Sequence, residues 1–226
     1  MQPTYFPWAG YFNLIAQADE FVFLDDVQLE KQSWQTRNRL ILNGLVKWIT
    51  VPIRHQQLAQ TIAETQVIDA NRWREKLAKS FNLNYGRHIY YSNANELIDL
   101  LLSTTTTSLA EINESIIRFA SERLKLTVNF HRASSLGVSG IRSAKLVALC
   151  EKLQVSEYLS PLGSAQYLEE DKFSATAPAA LTLQNYQPQG YQQKGSAVFH
   201  SHLSILDVVA NVGWEGARKY VIKGCV

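Results

Sequence analysis

Along the chain, the spacing of apolar side chains switches repeatedly between helical and strand periods. Tyr11–Ala18 places Phe12, Ile15 and Ala16 on one helical face, and Glu20–Leu24 is a short apolar run closed by Asp25-Asp26, the pattern of a buried strand. A polar stretch, Val27–Asn38, follows. Arg39–Leu42 and Leu45–Val51 flank Asn43-Gly44, and because both turn residues accept positive φ this predicts a hairpin. Thr61–Ile68 is a further strand candidate. The middle reads as helical over Arg72–Phe81, Asn95–Leu102 and Ser108–Lys125. In the last of these Ser108 and Glu111 stand at capping-box spacing, and Leu109, Ile112, Ile116, Phe119 and Leu124 fall near one stripe. The final third alternates again. Thr127–Phe130, Glu157–Leu159 and Leu181–Tyr186 are predicted strands, while Ile141–Leu153, Ala165–Phe173 and Ser204–Asn211 are predicted helices, with Gly213 placed to end the last.

Strands alternating with helices predict an α/β fold: a Rossmann-like, mostly parallel sheet with helices on both faces, an Asn-Gly hairpin and a helical middle section spanning about 72–125. The 226 residues suit a single domain over 1–226. In such sheets reactive groups gather beyond the carboxyl ends of the strands. Asp25-Asp26, His131-Arg132 and Ser160–Ser164 all directly follow strand candidates, so they are expected along one edge.

Composition narrows the classes of function. A net charge of +2 is too small to indicate a nucleic-acid partner. The longest apolar runs fall far short of the ~20 residues that span a bilayer, and MQPTYFPW has no signal-peptide pattern, so a cytoplasmic protein is expected. Cys150 and Cys225 make neither a disulfide framework nor a zinc pattern. His200 and His202 lack a third ligand nearby, so neither a metal nor a cofactor is called for. The expected partner is a small molecule; the oligomeric state is not readable.

Candidate chemistry concentrates near the start. In Gln2-Pro3-Thr4-Tyr5-Phe6-Pro7-Trp8-Ala9-Gly10-Tyr11-Phe12 two prolines fix φ, Gly10 permits close approach, and aromatics crowd together. Such a loop either opens a helix whose free N–H groups take an anion or plugs the core with aromatic rings. Spacing leaves both open. Of Asp25 and Asp26 one should face the site as a general base or as a ligand for a sugar hydroxyl or amine, the alternative being a solvated turn. Lys31, Trp34, Arg37, Asn38 and Arg39 form a basic, aromatic cluster suited to phosphate and to a stacking base or sugar, or else a charged hairpin edge. Tyr5, Trp8, one of the two acids and Arg37 are expected to converge on one pocket. The loop beginning at Ser160 has no phosphate-loop lysine and no nucleophile elbow, which leaves it as a plain ligand loop. Asp207 either caps a loop or reaches the site.

The same residues carry a family resemblance. Gln2, Pro3, Tyr5, Pro7, Gly10, Tyr11 and Phe12, then Ala18-Asp19, then Asp25-Asp26-Val27-Gln28, then Trp34, Arg37, Asn38 and Arg39, together with Leu203–Asp207, Asn211 and Gly213, resemble the signature of the WbqC-like family, whose members occur in bacterial surface-polysaccharide gene clusters. In the family pattern an apolar strand precedes Gln-Pro; here Met1 stands there. The resemblance implies a role in lipopolysaccharide or O-antigen assembly, as a transferase acting on a nucleotide-linked sugar or its amino group, or as a non-catalytic binding or scaffold protein of that pathway. It points to Asp25 and Asp26 as catalytic. As substrate-binding it adds Gln2, Tyr11 and Gln28 to Tyr5, Trp8, Lys31, Trp34, Arg37, Asn38, Arg39, Ser160 and Asp207. A fainter likeness of layout is to nucleotidylyltransferases, but Trp8-Ala9-Gly10-Tyr11 stands where those carry H-x-G-H, so the groups that stabilise a transferring phosphate are absent.

Overall fold

The computed structural model describes residues 1–54, 59–69 and 72–226. The order of elements follows the alternation in the sequence. Helix α1 (Ala9–Ala16) leads into strand β1 (Glu20–Phe23), then β2 (Arg37–Leu42) and β3 (Leu45–Thr50) form the hairpin, and β4 (Ile53–Arg54) and β5 (Gln66–Val67) are short. Helices α2 (Trp73–Tyr85), α3 (Tyr91–Ser103) and α4 (Leu109–Arg123) make the helical middle. Then come β6 (Asn129–Arg132), α5 (Ala133–Leu136), α6 (Arg142–Leu153), β7 (Glu157–Ser160), a 3₁₀ turn at Leu162–Ser164, α7 (Ala165–Glu170), α8 (Phe173–Thr176), β8 (Ala180–Leu183) and α9 (Ile205–Lys223).

Local chemistry accounts for these boundaries. Asn43 and Gly44 take φ of 55° and 73°, the left-handed pair that a two-residue hairpin turn needs. Ser108 caps α4 by accepting the Glu111 N–H at 3.4 Å. The reciprocal half of the box is absent: the Glu111 carboxylate takes the Thr106 hydroxyl, and the Ser108 N–H goes to Thr106 Oγ1 at 3.1 Å. Two extents differ from expectation. Thr61–Ile68 is mostly turn, with a strand only at Gln66-Val67, because Glu64 and Thr61 satisfy each other locally. Ala165–Phe173 splits into α7 and α8 at Lys172, whose φ is 53°.

The sheet is where the expectation needs correcting. The fold is mixed α/β, but among the described residues the strands form four two-stranded ladders, not one mostly parallel sheet. β1 pairs with β6 and β7 with β8 in parallel; β2 with β3 and β4 with β5 are antiparallel. On its other edge β1 meets Met1, whose nitrogen donates to Val22 O at 2.8 Å and whose carbonyl accepts from Leu24 N at 2.9 Å. The apolar interior is correspondingly divided. A large cluster joins α1, β1, the hairpin, the helical middle and α9, and a smaller one gathers Leu146, Cys150, Leu168, Phe173 and Ala179.

Gly213 ends the first half of α9 with φ 69° and ψ 176°, and the chain then returns to helix because Trp214, Ala217, Tyr220 and Val221 offer a second buried stripe. This backbone region is open essentially to glycine alone, and a Cβ at Gly213 would lie 2.8 Å from the Tyr90 ring. Gly213→Ala is therefore expected to lower stability by about 1–3 kcal/mol. Gly163→Ala, where a Cβ meets nothing within 4 Å, should stay within about 0.5 kcal/mol of the parent. Urea denaturation of both variants makes the comparison.

Candidate functional site

The opening segment is irregular yet largely buried, so its peptide groups need partners from elsewhere. They find them in side chains. Asn113 on α4 donates Nδ2 to Pro3 O at 3.1 Å and to Gln35 O at 2.8 Å. Asn38 donates to Tyr5 O at 3.0 Å and to Phe6 O at 2.7 Å, clamping the turn in which Phe6 takes φ 42°. The Tyr11 hydroxyl donates to Gln2 O at 2.9 Å, and Ile205 N to Pro7 O at 2.8 Å. Gln35 then donates Nε2 to Gln2 Oε1 at 2.9 Å, fixing the one side chain of this segment that reaches the cleft described next.

That cleft, of about 1380 Å³, lies beyond the carboxyl end of β1 and is closed by the start of α6. Gln2, Asp26, Gln28, Glu30, Lys31 and Gln60 line it on one side, and Gly140, Arg142 and Lys145 on the other. Lys145, on the fourth residue of α6 and 8% exposed, sets Nζ 2.5 Å from Asp26 Oδ2. Asp26 Oδ1 is buried without a partner among the described residues. The cleft thus holds a carboxylate with one oxygen neutralised and the other unsatisfied, beside further cations at Lys31 and Arg142. Arg142 is tied back to Asp171 at 3.1 Å.

The two acids have separate tasks. Asp25 is 2% exposed and accepts the Ser134 N–H at 3.0 Å and the Ser134 hydroxyl at 2.6 Å, holding α5 against the end of β6. Just beneath, Arg132 donates Nε to Glu114 at 2.8 Å, a carboxylate whose proton affinity burial raises. The carboxyl ends of β1 and β6 do meet, as the parallel pairing requires. Ser160 is fully buried at the end of β7, in the other parallel pair, and does not line the cleft.

Tyr5, Trp8 and Arg37 do not join Asp26 in one pocket. Tyr5 is 1% exposed in the core, edge-on to Phe6 and Trp73, and burial pushes its phenol well above the ordinary value. Tyr11 is also buried, which likewise raises its phenol. Trp8 lies over Gly10, where a Cβ would fall 2.1 Å from the indole, and packs on His202 with ring centroids 4.2 Å apart. These rings pack against the start of α1 in the manner of an aromatic plug. Arg37 and Arg39 share a face of β2, as their parity implies, but that face is the outer one. There Arg37 lies 4.1 Å over Trp48, Trp34 and Trp48 are 5.3 Å apart, and Arg39 donates Nη2 to the Ser201 and His202 carbonyls at 3.3 Å. Arg37 meets the cleft wall through Gln32, at 3.4 Å. Asp207 is fully buried at the start of α9, accepting from Asn211 at 3.0 Å, and does not line the cleft.

Sequence reasoning missed Lys145, Gln35, Asn113 and Glu114. Lys145 carried a faint signal, a lysine at an apolar position of the α6 repeat; the partners of the opening segment carried none, since they answer to carbonyls up to 110 residues away.

The chain belongs to the WbqC-like protein family, whose model matches residues 2–219. It is similar to an uncharacterized protein of Mycobacterium tuberculosis, at 28% identity over 221 residues, covering 95% of this chain and 93% of that one. No solved structure matches. Among the described residues no helix is long and apolar enough to cross a membrane.

Burial raises the Asp207 carboxyl to about 8, against the lowering effect of its bond from Asn211. The folded chain therefore keeps a proton that the unfolded chain releases, and stability falls as pH rises from the ordinary carboxylate range to about 8, levelling above it. Asp207→Asn, which keeps the acceptor for Asn211, should flatten that fall. Urea unfolding at pH 5 and pH 8 is the measurement; equal losses in parent and variant would mean that Asp207 ionises alike in both states.

Proposed function

We propose that the cleft between the end of β1 and the start of α6 binds an activated, nucleotide-linked sugar, and that the protein is a transferase of bacterial surface-polysaccharide or lipopolysaccharide assembly acting in the cytoplasm. The observation that carries this reading is the Asp26–Lys145 pair, because it sets a base and a cation side by side in a cavity of ligand size. Transfer from a phosphate-linked donor needs positive charge on the leaving oxygens and a base for the incoming hydroxyl or amine. Lys145 and Lys31 supply the charge. Asp26 accepts the proton of the acceptor as its nucleophilic atom bonds to the carbon or acyl centre and the phosphate departs. Gln2, held by Gln35, and Gln28 orient the sugar hydroxyls. Arg37, stacked on Trp48 at the rim, is left to meet the far end of the donor. Asp25 is a positioning residue in this scheme.

A second reading, a non-catalytic binding protein of the same pathway, is favoured by the commitment of both acids: Asp25 to Ser134 and Asp26 to Lys145. Thermal-shift screening of nucleotide sugars decides whether a donor binds at all, since a ligand at 100 times its Kd stabilises by about 2.7 kcal/mol. Lys145→Met should remove the shift. With an activity in hand, Asp26→Asn is expected to lower turnover by about 10²–10⁴-fold while binding persists. Arg37→Lys should weaken binding more than its conserved charge suggests, because one ammonium does not copy a stacked, two-pronged group. Unchanged turnover in Asp26→Asn would place the base elsewhere, whereas a donor that binds without any turnover moves the binding-protein reading ahead.

A further inference from the structure

Alternation gives the β2–β3 hairpin an inward and an outward face. Asn38, Leu40 and Ile49 are buried on the inward one, so Arg37, Arg39, Ile41, Val46 and Trp48 share the outward one. The segment 194–201 covers the turn end of that outer face, where a Cβ at Gly195 would lie 3.7 Å from Ile41. The other end is open. There Trp34 and Trp48 stand 44% and 45% exposed, their ring centroids 5.3 Å apart and their planes tilted by 50°. Two adjoining indoles left half in water form the kind of apolar patch that a ligand covers.

The charge beside these rings is uncompensated. Arg37 lies over Trp48, and Arg39 lies 5.6 Å from Trp34 and 5.8 Å from Trp48. Among the described residues neither arginine pairs with a carboxylate, and the Nε of each is buried without a partner. The polar contacts they do make are to neutral groups: Gln32 for Arg37, and the Ser201 and His202 carbonyls for Arg39. From Arg39 a groove of about 680 Å³ continues between the hairpin turn and the segment 194–201. Leu45, Val46, Val198, Phe199 and His200 line it, and none of its lining residues is an acid.

We infer that this outer face is a second ligand site, separate from the cleft, and that it takes an acidic oligosaccharide, a chain of sugar rings bearing carboxylates. Arginines without a carboxylate of their own suit such groups, because the guanidinium fork meets a carboxylate with two parallel hydrogen bonds. The negative π faces of Trp34 and Trp48 attract the polarised C–H faces of a pyranose. Their tilt offers no parallel slot for the successive flat bases of a nucleic acid. Rings and charges follow one another from Trp48 to Leu45, about 10 Å of strand, which fits a chain of rings better than a single sugar. The inference stands apart from the transferase reading, since it uses neither Asp26 nor Lys145.

Calorimetric titration of the full chain with trigalacturonate is the test, with maltotriose as the neutral control and oligodeoxythymidine as the nucleic-acid one. The parent should bind trigalacturonate, less tightly as salt rises, and maltotriose at least about tenfold more weakly. Trp34→Ala and Trp48→Ala should each weaken trigalacturonate at least about tenfold. Leu45 is exposed, so Leu45→Glu spares the fold while placing an acid in the groove; it should weaken binding, and Leu45→Gln should not. Lys145→Met, which removes a cation of the cleft, should leave the affinity as in the parent. No binding by the parent, equal affinity for maltotriose, or affinity unchanged in both tryptophan variants would overturn the inference. Binding lost in Lys145→Met but kept in the tryptophan variants would move the ligand to the cleft, and tighter binding of oligodeoxythymidine would make the face a nucleic-acid surface; either result overturns it. So would a parent dimer that Trp34→Ala dissolves, which assigns the face to a second copy of the chain.

Discussion

The opening segment from Gln2 to Trp8 runs through the interior as neither helix nor strand, and the structure depends on how its peptide groups are satisfied. A buried carbonyl without a donor costs about 1–3 kcal/mol, and this segment presents several in a row. Asn113, Asn38, Tyr11 and the Ile205 N–H meet them one after another. Those donors come from α4, β2, α1 and α9, so elements far apart in the chain are tied to one another through a single strip of backbone. The prolines lower the cost of holding the strip still, and the φ of 42° at Phe6 persists because Asn38 grips the carbonyls on both sides of it.

The cleft is a consequence of that strip. Gln2 reaches it because Gln35 holds its side chain, and Gln35 is in turn fixed by accepting from Glu30 N at 3.0 Å and Ser33 at 2.9 Å. On the opposite wall the loop at Gly140 turns with φ 120° and lies so close to the backbone of Lys145 that a Cβ would approach within 3.0 Å. Lys145 is thereby delivered to Asp26 at the end of β1. The adjacent Asp25 does structural work, pinning the turn after β6. Neighbouring acids with identical chemistry thus divide into one that holds the scaffold and one that faces the cavity, and the division follows from which partner each finds.

Much of the architecture was legible from local rules. The Asn43-Gly44 hairpin, the Ser108 cap, the apolar stripe of α4 and the break at Gly213 each rest on a few neighbouring residues, and each stands close to its predicted place. The acids after β1 were also found where a strand end puts them. The convergence of Tyr5, Trp8, Asp26 and Arg37 was not legible. Aromatic rings and guanidinium groups serve a core, a surface stack or a ligand equally well, and only their neighbours decide. Here Trp8 found His202, Tyr5 found Trp73, and Arg37 found Trp48.

The sequence by itself determined the element order, the hairpin, the family and the position of the acid pair, because periodicity, turn chemistry and motif spacing act over a few residues. The tertiary structure alone decided the pairing of the strands outside the hairpin, the split of the interior into two clusters, and the distant partners of the buried polar groups. Many of those rest on contacts between residues a hundred or more positions apart: Asn113 with Pro3, Lys145 with Asp26, Gln184 with Asn13. No local pattern encodes such a pair, since each member is an ordinary polar residue until folding removes the water that would otherwise satisfy it.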